Sequence, residues 1–568
     1  MSYTGADLFV DALEQYGVTR FFGNPGTTEL PIMKALPDSG LSYHLGLHED
    51  VALGMAAGYA CRRRYHAHHD PAINPLGVVN VHVAPGMAHA LGNLQNAQVN
   101  GVPLLATAGN HSRSFRHEEP ILSGDMVTMT DEYTKWSAEV EHVDALPTMV
   151  RRAVRTALTP PQGPVFLSLP MDVMDAETDD RPERLGELPT AGRGDPRAVE
   201  HAAEALTDAD EPVLVLGDHV ARAGAVDAAV ELAEATGAAV CSEMLTAEIN
   251  FPPAHDQWVG FTPPDETVSR ELWDTDTLVF VGCSSNAMYI PYEGDIVPDE
   301  PTIIQVGNDP WEVGKNEPAD LTVLGDPGLV MAELAEHVDA RLTETELNDR
   351  REAVATRQAW AAKNLGADDP GPERGLPSKA QLADALTSVA PDGFYINESN
   401  TSKYALLTRA SLGPEQFLAN KNGGLGFGVP MTVGAAVAER DASEARAAGN
   451  DDLPDERPVI GFIGDGSYLY YPQALYSAAR YDLDCTVVVV DNRNYRILKD
   501  GMLNIYGGTD EEYEYVGMDI DPPVDIPANA ESHGADGVMA DDPETLETRI
   551  REAVETDGPV VVDAIVHD

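Results

Sequence analysis

Two stretches near the carboxyl end hold residue types suited to binding a metal and an anion. GDGS occupies positions 464 to 467, and DNRNY begins at Asp491. Asp465 and Asn492 stand 27 positions apart, the length of one strand-helix-strand unit. Each would then end one of two neighbouring parallel strands about 4.8 Å apart and project from their carboxyl edge, where open sheets bind ligands. One carboxylate with neutral oxygens suits magnesium, which completes its six oxygen ligands with phosphate and water. Gly464 and Gly466 would let the backbone approach a diphosphate. A lone GDG could equally be two ordinary loop polars.

Three other places carry candidate chemistry. GNPGTTELP, residues 23 to 31, places a Gly-Pro turn, two hydroxyls and a carboxylate after an apolar run. Such a turn is either punctuation or the rim of a site. Glu49 opens the helical segment EDVALGMAAGYA, where a carboxylate could serve only the helix dipole. His82 ends the NVH run just before APG; alone it would read as a core histidine, but a strand end favours a functional role. His66, His68 and His69 in RRRYHAHHD invite a metal reading, which a basic, polar loop without a distant fourth ligand disfavours. GGLGFG lacks both the spacing and the preceding strand of a dinucleotide fingerprint, so NAD is disfavoured.

The elements that must position these residues form an α/β pattern. TGADLFVDALEQYGV is amphipathic, RFFGNPG reads as strand and turn, and LGVVNVHVAPG and PLLATAG read as buried parallel strands. A polar, Pro/Gly-rich linker follows, from about Ala176 to Pro196; the RGD within it reads only as loop. PVLVLGDHV, GAAVCSE, TLVFVGC and PTIIQVGNDP give four strand candidates of a second unit, and a charged helical stretch and DDPGPERGLPS lead to a third. The third holds GFYINES, PVIGFIGDGS, CTVVVVDN and PVVVDAIV. The expected architecture is three consecutive doubly wound parallel-sheet domains over residues 1–178, 196–340 and 376–568, the first and third sharing one fold.

Composition narrows the partners. With 94 acidic against 37 basic residues in 568, the net charge of -57 repels nucleic acid and anionic membranes. Such a surface predicts a salt-filled cytoplasm, as in halophiles, because salt screens self-repulsion. No apolar run approaches the roughly 20 residues of a bilayer span, and the amino terminus lacks a signal-like pattern, so a cytoplasmic location is expected. The four scattered cysteines fit neither a disulfide framework nor a structural zinc site.

Taken together, GDG with its following Asn, LHEDVALGMAAGYA, INESNTS and NGGLGFGVP resemble the ordered motifs of thiamine diphosphate enzymes. Within that family the pattern at GNPGTTELP, NVHVAPGMAHALGN, YINES and GGLGFGVP is most similar to the benzoylformate decarboxylases. The resemblance implies thiamine diphosphate and Mg2+ as cofactors, with Glu49 activating the aminopyrimidine and Asp465, Asn492 and the Asn494 carbonyl holding the metal. It places Asn400, Thr401, Gly464, Gly466, Ser467 and Tyr495 on the cofactor, Gly423 at its 4'-amino group, and Leu425 as the wedge that bends it. Pro25, Gly26, Thr27, Ile497 and Leu498 would line the substrate pocket. Thr27 stands where the family has a substrate-contacting serine, and His82 matches a proton-transferring histidine.

By the same resemblance Tyr289 stands where a second active-site histidine is usual, which leaves the aromatic substrate open. The implied reaction is non-oxidative decarboxylation of a 2-oxo acid to an aldehyde and CO2. The rivals are an acetolactate-synthase-like carboligase and a catalytically idle cofactor-binding protein. FAD is possible in the central domain but not expected. Sites of this family lie between subunits, which implies at least a homodimer, extended to a homotetramer.

Overall fold

The computed structural model describes residues 2–284, 286–287, 291–292, 294–298, 301–365 and 369–567. Its strands fall into three sheets in chain order. The first contains β1 (Arg20–Gly23), β2 (Ser42–Leu45), β3 (Gly77–Val81), β4 (Leu104–Asn110), β5 (Ser137–Glu139) and β6 (Val165–Pro170). The second contains β7 (Val213–Leu216), β8 (Ala239–Ser242), β9 (Trp258–Gly260), β10 (Thr277–Val281), β11 (Thr302–Gly307) and β12 (Leu321–Leu324). The third contains β13 (Phe394–Glu398), β14 (Phe417–Ala419), β15 (Val459–Gly464), β16 (Cys485–Asp491), β17 (Asp536–Ala540) and β18 (Pro559–Ile565).

The spatial orders are β2-β1-β3-β4-β6-β5, β12-β11-β10-β7-β8-β9 and β14-β13-β15-β16-β18-β17. The first and third orders are the same, as the sequence suggests. All strand pairs are parallel, and the central strands are buried on both faces, which is why they read as continuous apolar runs. The order reverses between β1 and β3, between β10 and β7, and between β13 and β15. Each reversal opens a crevice at the carboxyl ends. Seven strands escape the sequence pattern: β2, β5, β9, β12, β14 and β17 are short edge elements, β6 lies inside the first sheet, and β12 and β17 are partly exposed.

One correction concerns the histidines of RRRYHAHHD. They do not lie in a loop, because a single helix runs from Glu49 to His69. Carboxylates from elsewhere hold its polar end: Arg62 pairs with Glu439, Arg64 Nη2 lies 2.9 Å from Glu248 Oε1, and His66 Nε2 lies 3.3 Å from Glu439 Oε1. His68 and His69 contact the two oxygens of Glu415 at 3.0 and 2.9 Å. These pairings make burial of the basic turn compatible with a continuing helix.

That helix packs against the helix Gly428–Ala447 of the third domain at glycines. A Cβ on Gly58 would stand 2.1 Å from the Met431 carbonyl oxygen, and one on Gly434 would stand 1.9 Å from that of Met55. The two helices begin at Glu49 and at the last glycine of NGGLGFG, so their close approach ties two motif segments together. No helix among the described residues is long and apolar enough to cross a membrane.

Candidate active site

The crevice between β13 and β15 opens a cleft. Glu398, Ser399, Asn400 and Thr401 enter it from the end of β13, and Gly464 to Ser467 follow β15. Asn492, Asn494, Tyr495 and Ile497 follow β16, and Leu425 lines the cleft from the 420–428 loop. Gly466 has no room for a side chain, since its Cβ would lie 2.5 Å from the Tyr495 ring. Leu498 lies outside the cleft and is 49% exposed, whereas Ile497 lines it.

The donor set fits a divalent cation. Asp465 Oδ1 accepts the Gly466 N–H at 2.7 Å, while its buried Oδ2 has no hydrogen-bond partner among the described residues. Burial, with Asp491 beside it, pushes the Asp465 carboxyl up to about 7. Burial and Asp491 likewise push Asp563 up to about 7. A cation in this acidic pocket would favour ionised carboxylates. Arg493, at φ 59°, reverses the chain between Asn492 and Asn494. Backbone bonds from Tyr495 N–H to Met518 and from Ile520 N–H to Arg493, both 2.8 Å, fix that turn.

Glu398 escaped sequence reasoning although it lies inside the quoted INES. Its buried carboxylate accepts the N–H groups of Gly426 and Gly428, both at 2.5 Å, and so binds the β13 end to the 420–428 loop. Burial pushes it up to about 8. Gly423 sits exposed at the tip of this loop with φ +74°, a conformation that favours glycine.

A second set of candidates gathers at the crevice between β1 and β3. Pro25, Gly26 and Thr27 follow β1, with Thr27 exposed, and His82 follows β3. His82 Nδ1 lies 2.8 Å from Glu29 Oε2, and Glu29 is completely buried. Glu29 also accepts the N–H groups of Gly26 and Gly109 and the Thr28 hydroxyl, at 2.9, 2.8 and 2.8 Å. A Cβ on Gly26 would fall 2.1 Å from His82 Nδ1, so only glycine lets the ring approach this turn. Val83, a β-branched residue at φ 40°, marks a strained backbone directly after the histidine. Glu29 was legible only as a carboxylate in a Gly-Pro turn.

Glu49 occupies the first position of its helix, after His48, whose Nδ1 accepts the Asp50 N–H at 3.1 Å. Glu49 Oε2 lies 3.1 Å from His89 Nδ1, and His48 stacks on His89 with ring centroids 5.1 Å apart. A side chain at Gly86 would come within 2.9 Å of the carboxylate, so the APG glycine leaves it room. Tyr289 lies outside the described residues.

These two crevices belong to domains with recognised relatives. Residues 3–134 match the thiamine pyrophosphate enzyme N-terminal TPP binding domain, 199–334 the central domain, and 400–564 the C-terminal TPP binding domain. Thiamine pyrophosphate (TPP) is the same compound as thiamine diphosphate. The chain is 31% identical to a benzoylformate decarboxylase of Pseudomonas aeruginosa over 559 residues, covering 97% of both chains. It is 25% identical to an acetolactate synthase of Arthrospira platensis over 589 residues, covering 99% of this chain and 94% of that one. Among solved structures, the thiamine diphosphate-dependent 4-hydroxybenzoylformate decarboxylase of Rhodococcus jostii RHA1 superposes with a TM-score of 0.84 at 29% identity, covering 99% of each chain. Matched in all three domains and along nearly its whole length, the chain belongs to the thiamine pyrophosphate enzyme family, in the group that includes benzoylformate decarboxylases and acetolactate synthases.

Proposed function

We propose that the protein is a thiamine diphosphate- and Mg2+-dependent decarboxylase that converts a benzoylformate-like, aromatic or branched 2-oxo acid to an aldehyde and CO2. The observation that carries this reading is His82, held by buried Glu29 beside the Pro25-Gly26-Thr27 turn. With Nδ1 donating to Glu29, Nε2 is left to exchange a proton with substrate or product, the step an aldehyde-releasing enzyme requires.

The chemistry supplied by bound thiamine diphosphate is a nucleophilic carbon and a sink for the electron pair left when CO2 departs. The Glu49 carboxylate holds a proton at the aminopyrimidine, and the Gly423 carbonyl orients its amino group. Leu425, which lines the cleft, would pack against the bound cofactor and help to keep water from its reacting carbon. Asp465, Asn492 and the Asn494 carbonyl hold Mg2+, while Asn400, Thr401, Gly464, Gly466, Ser467 and Tyr495 surround the diphosphate. Thr27 and Ile497 would border the substrate, and His82 would deliver the proton to the carbon that loses CO2.

Glu49 lies on the first domain and Asp465 on the third, and we assign the working site to a homodimer, paired into a homotetramer, that brings them together across subunits. The acidic surface supports a cytoplasm rich in salt. A second reading, a carboligase joining two 2-oxo acids, draws on the likeness to acetolactate synthases.

Product analysis decides between them. The chain with thiamine diphosphate and Mg2+ is offered benzoylformate, branched 2-oxo acids and pyruvate in turn. Aldehyde and CO2 alone support the decarboxylase, an acetohydroxy acid supports the carboligase, and no turnover of any substrate supports an idle cofactor-binding protein.

A further inference from the structure

The third crevice, between β7 and β10, is filled by the protein itself. Glu243, completely buried after β8, accepts the Asp218 N–H at the end of β7 at 2.7 Å and the Ser284 N–H after β10 at 2.9 Å. Its carboxylate thus spans the point of an open sheet where a ligand would ordinarily sit. Lys421 reaches in from the third domain and pairs with Glu243 Oε2, its side chain only 8% exposed. Asp218, also buried, accepts the Thr246 hydroxyl and the N–H groups of Ala247 and Glu248, which fixes the 246–248 turn beside it.

Lys421 begins the segment that presents Gly423 and Leu425. Neighbours on both sides of Gly423 are held: Asn422 Nδ2 donates to Asn96 Oδ1 at 3.0 Å, and the Gly424 carbonyl accepts from Asn96 and Asn420 at 3.3 and 3.2 Å. Buried Lys403, two positions after Thr401, donates to the Thr246 carbonyl at 2.5 Å. The Ala419 N–H donates to the Ala247 carbonyl at 2.8 Å. Both loops that reach the cleft from β13 and β14 are therefore anchored on one central-domain segment, residues 243 to 247.

We propose that the Glu243–Lys421 pair is a strut through which the central domain positions the 420–428 loop on the cofactor. The central domain then serves the reaction as a brace, with Glu243 and Lys421 as positioning residues. This assignment rests on the cofactor reading above. A buried charge pair suits the role, because ionic and hydrogen-bonded partners accept fewer geometries than apolar packing does. Breaking it from one side leaves an uncompensated buried charge and endangers folding, whereas neutralising both members leaves only Asp218 beside it, which still faces Arg222 Nη2 at 3.5 Å.

The test uses the full-length double variant Glu243→Gln/Lys421→Met. Its control, Arg350→Met, removes a buried side chain that holds the Thr236 and Thr207 carbonyls inside the central domain, away from the loop. Hydrogen exchange at amides 420 to 428 and calorimetric titration with thiamine diphosphate plus Mg2+ are read on each. Faster loop exchange and about tenfold weaker cofactor binding in the double variant, with neither change in Arg350→Met, are expected. Unchanged exchange or unchanged affinity in the folded double variant overturns the strut, as does equal loosening in the control. A wild-type chain that takes up no thiamine diphosphate sinks the cofactor reading instead, and loop exchange still decides whether the pair holds the loop.

Discussion

His82 Nδ1 stands 2.8 Å from an oxygen of Glu29, a carboxylate with no solvent exposure. Glu29 is in turn fixed by backbone N–H groups after β1 and within β4, at Gly26 and Gly109. The orientation of the imidazole is thus set by the sheet.

If His82 transfers a proton, His82→Ala lowers kcat by about a hundredfold or more. Glu29→Gln lowers it less and moves the pH-rate profile, because an amide supports the imidazolium form poorly. Thermal melts run in parallel separate this from unfolding, since loss of a hydrogen bond to a charged group costs about 1.5–3 kcal/mol. An unchanged kcat and profile in Glu29→Gln would remove His82 from the chemistry.

The motif residues were legible because spacing along the chain maps directly onto strand ends in a parallel sheet. Asp465 and Asn492 directly follow paired strands β15 and β16, and Pro25 and His82 follow paired strands β1 and β3. Glu29, Glu398 and Glu243 were not legible. Each works through partners distant in sequence, at Gly109, Gly428 and Lys421, and a carboxylate in a turn carries no local mark of such partners. The buried basic end of the Glu49–His69 helix was misread for the same reason, its neutralising Glu248, Glu415 and Glu439 lying far along the chain.

The Asp465 pocket tests the proposed metal dependence. Chelation should abolish turnover, and added Mg2+ should restore it. Asp465→Asn keeps the shape but removes the one anionic ligand assigned to the cation, so half-activation should need about tenfold or more Mg2+. Activity of the wild type that survives exhaustive chelation contradicts the assignment.

Glu398 ties stability to pH. Burial raises its folded-state pKa to about 8, above the ordinary value of 4.5, so the folded chain binds this proton more tightly than the unfolded one. The resulting stabilisation is fully present below about 4.5 and is lost as pH rises towards 8. Melting of the cofactor-free protein between pH 5 and 8 checks this against Glu398→Gln, which cannot ionise. The wild type should lose stability relative to the variant as pH increases, and parallel curves would show that Glu398 does not titrate there.

Two glycine substitutions should move stability in opposite directions. A methyl at Gly434 would meet the Met55 carbonyl oxygen at 1.9 Å, where backbone cannot yield without separating the helices Glu49–His69 and Gly428–Ala447. Gly434→Ala should therefore cost about 1–3 kcal/mol or more. Gly501 lies inside the helix Arg496–Tyr506 with nothing within 4 Å of an added Cβ. There alanine only removes the conformational freedom of glycine, so Gly501→Ala should raise stability by about 0.5–1 kcal/mol. Denaturant melts of both variants measure the difference. A neutral Gly434→Ala would mean that the two motif-bearing helices do not meet as closely as this packing requires.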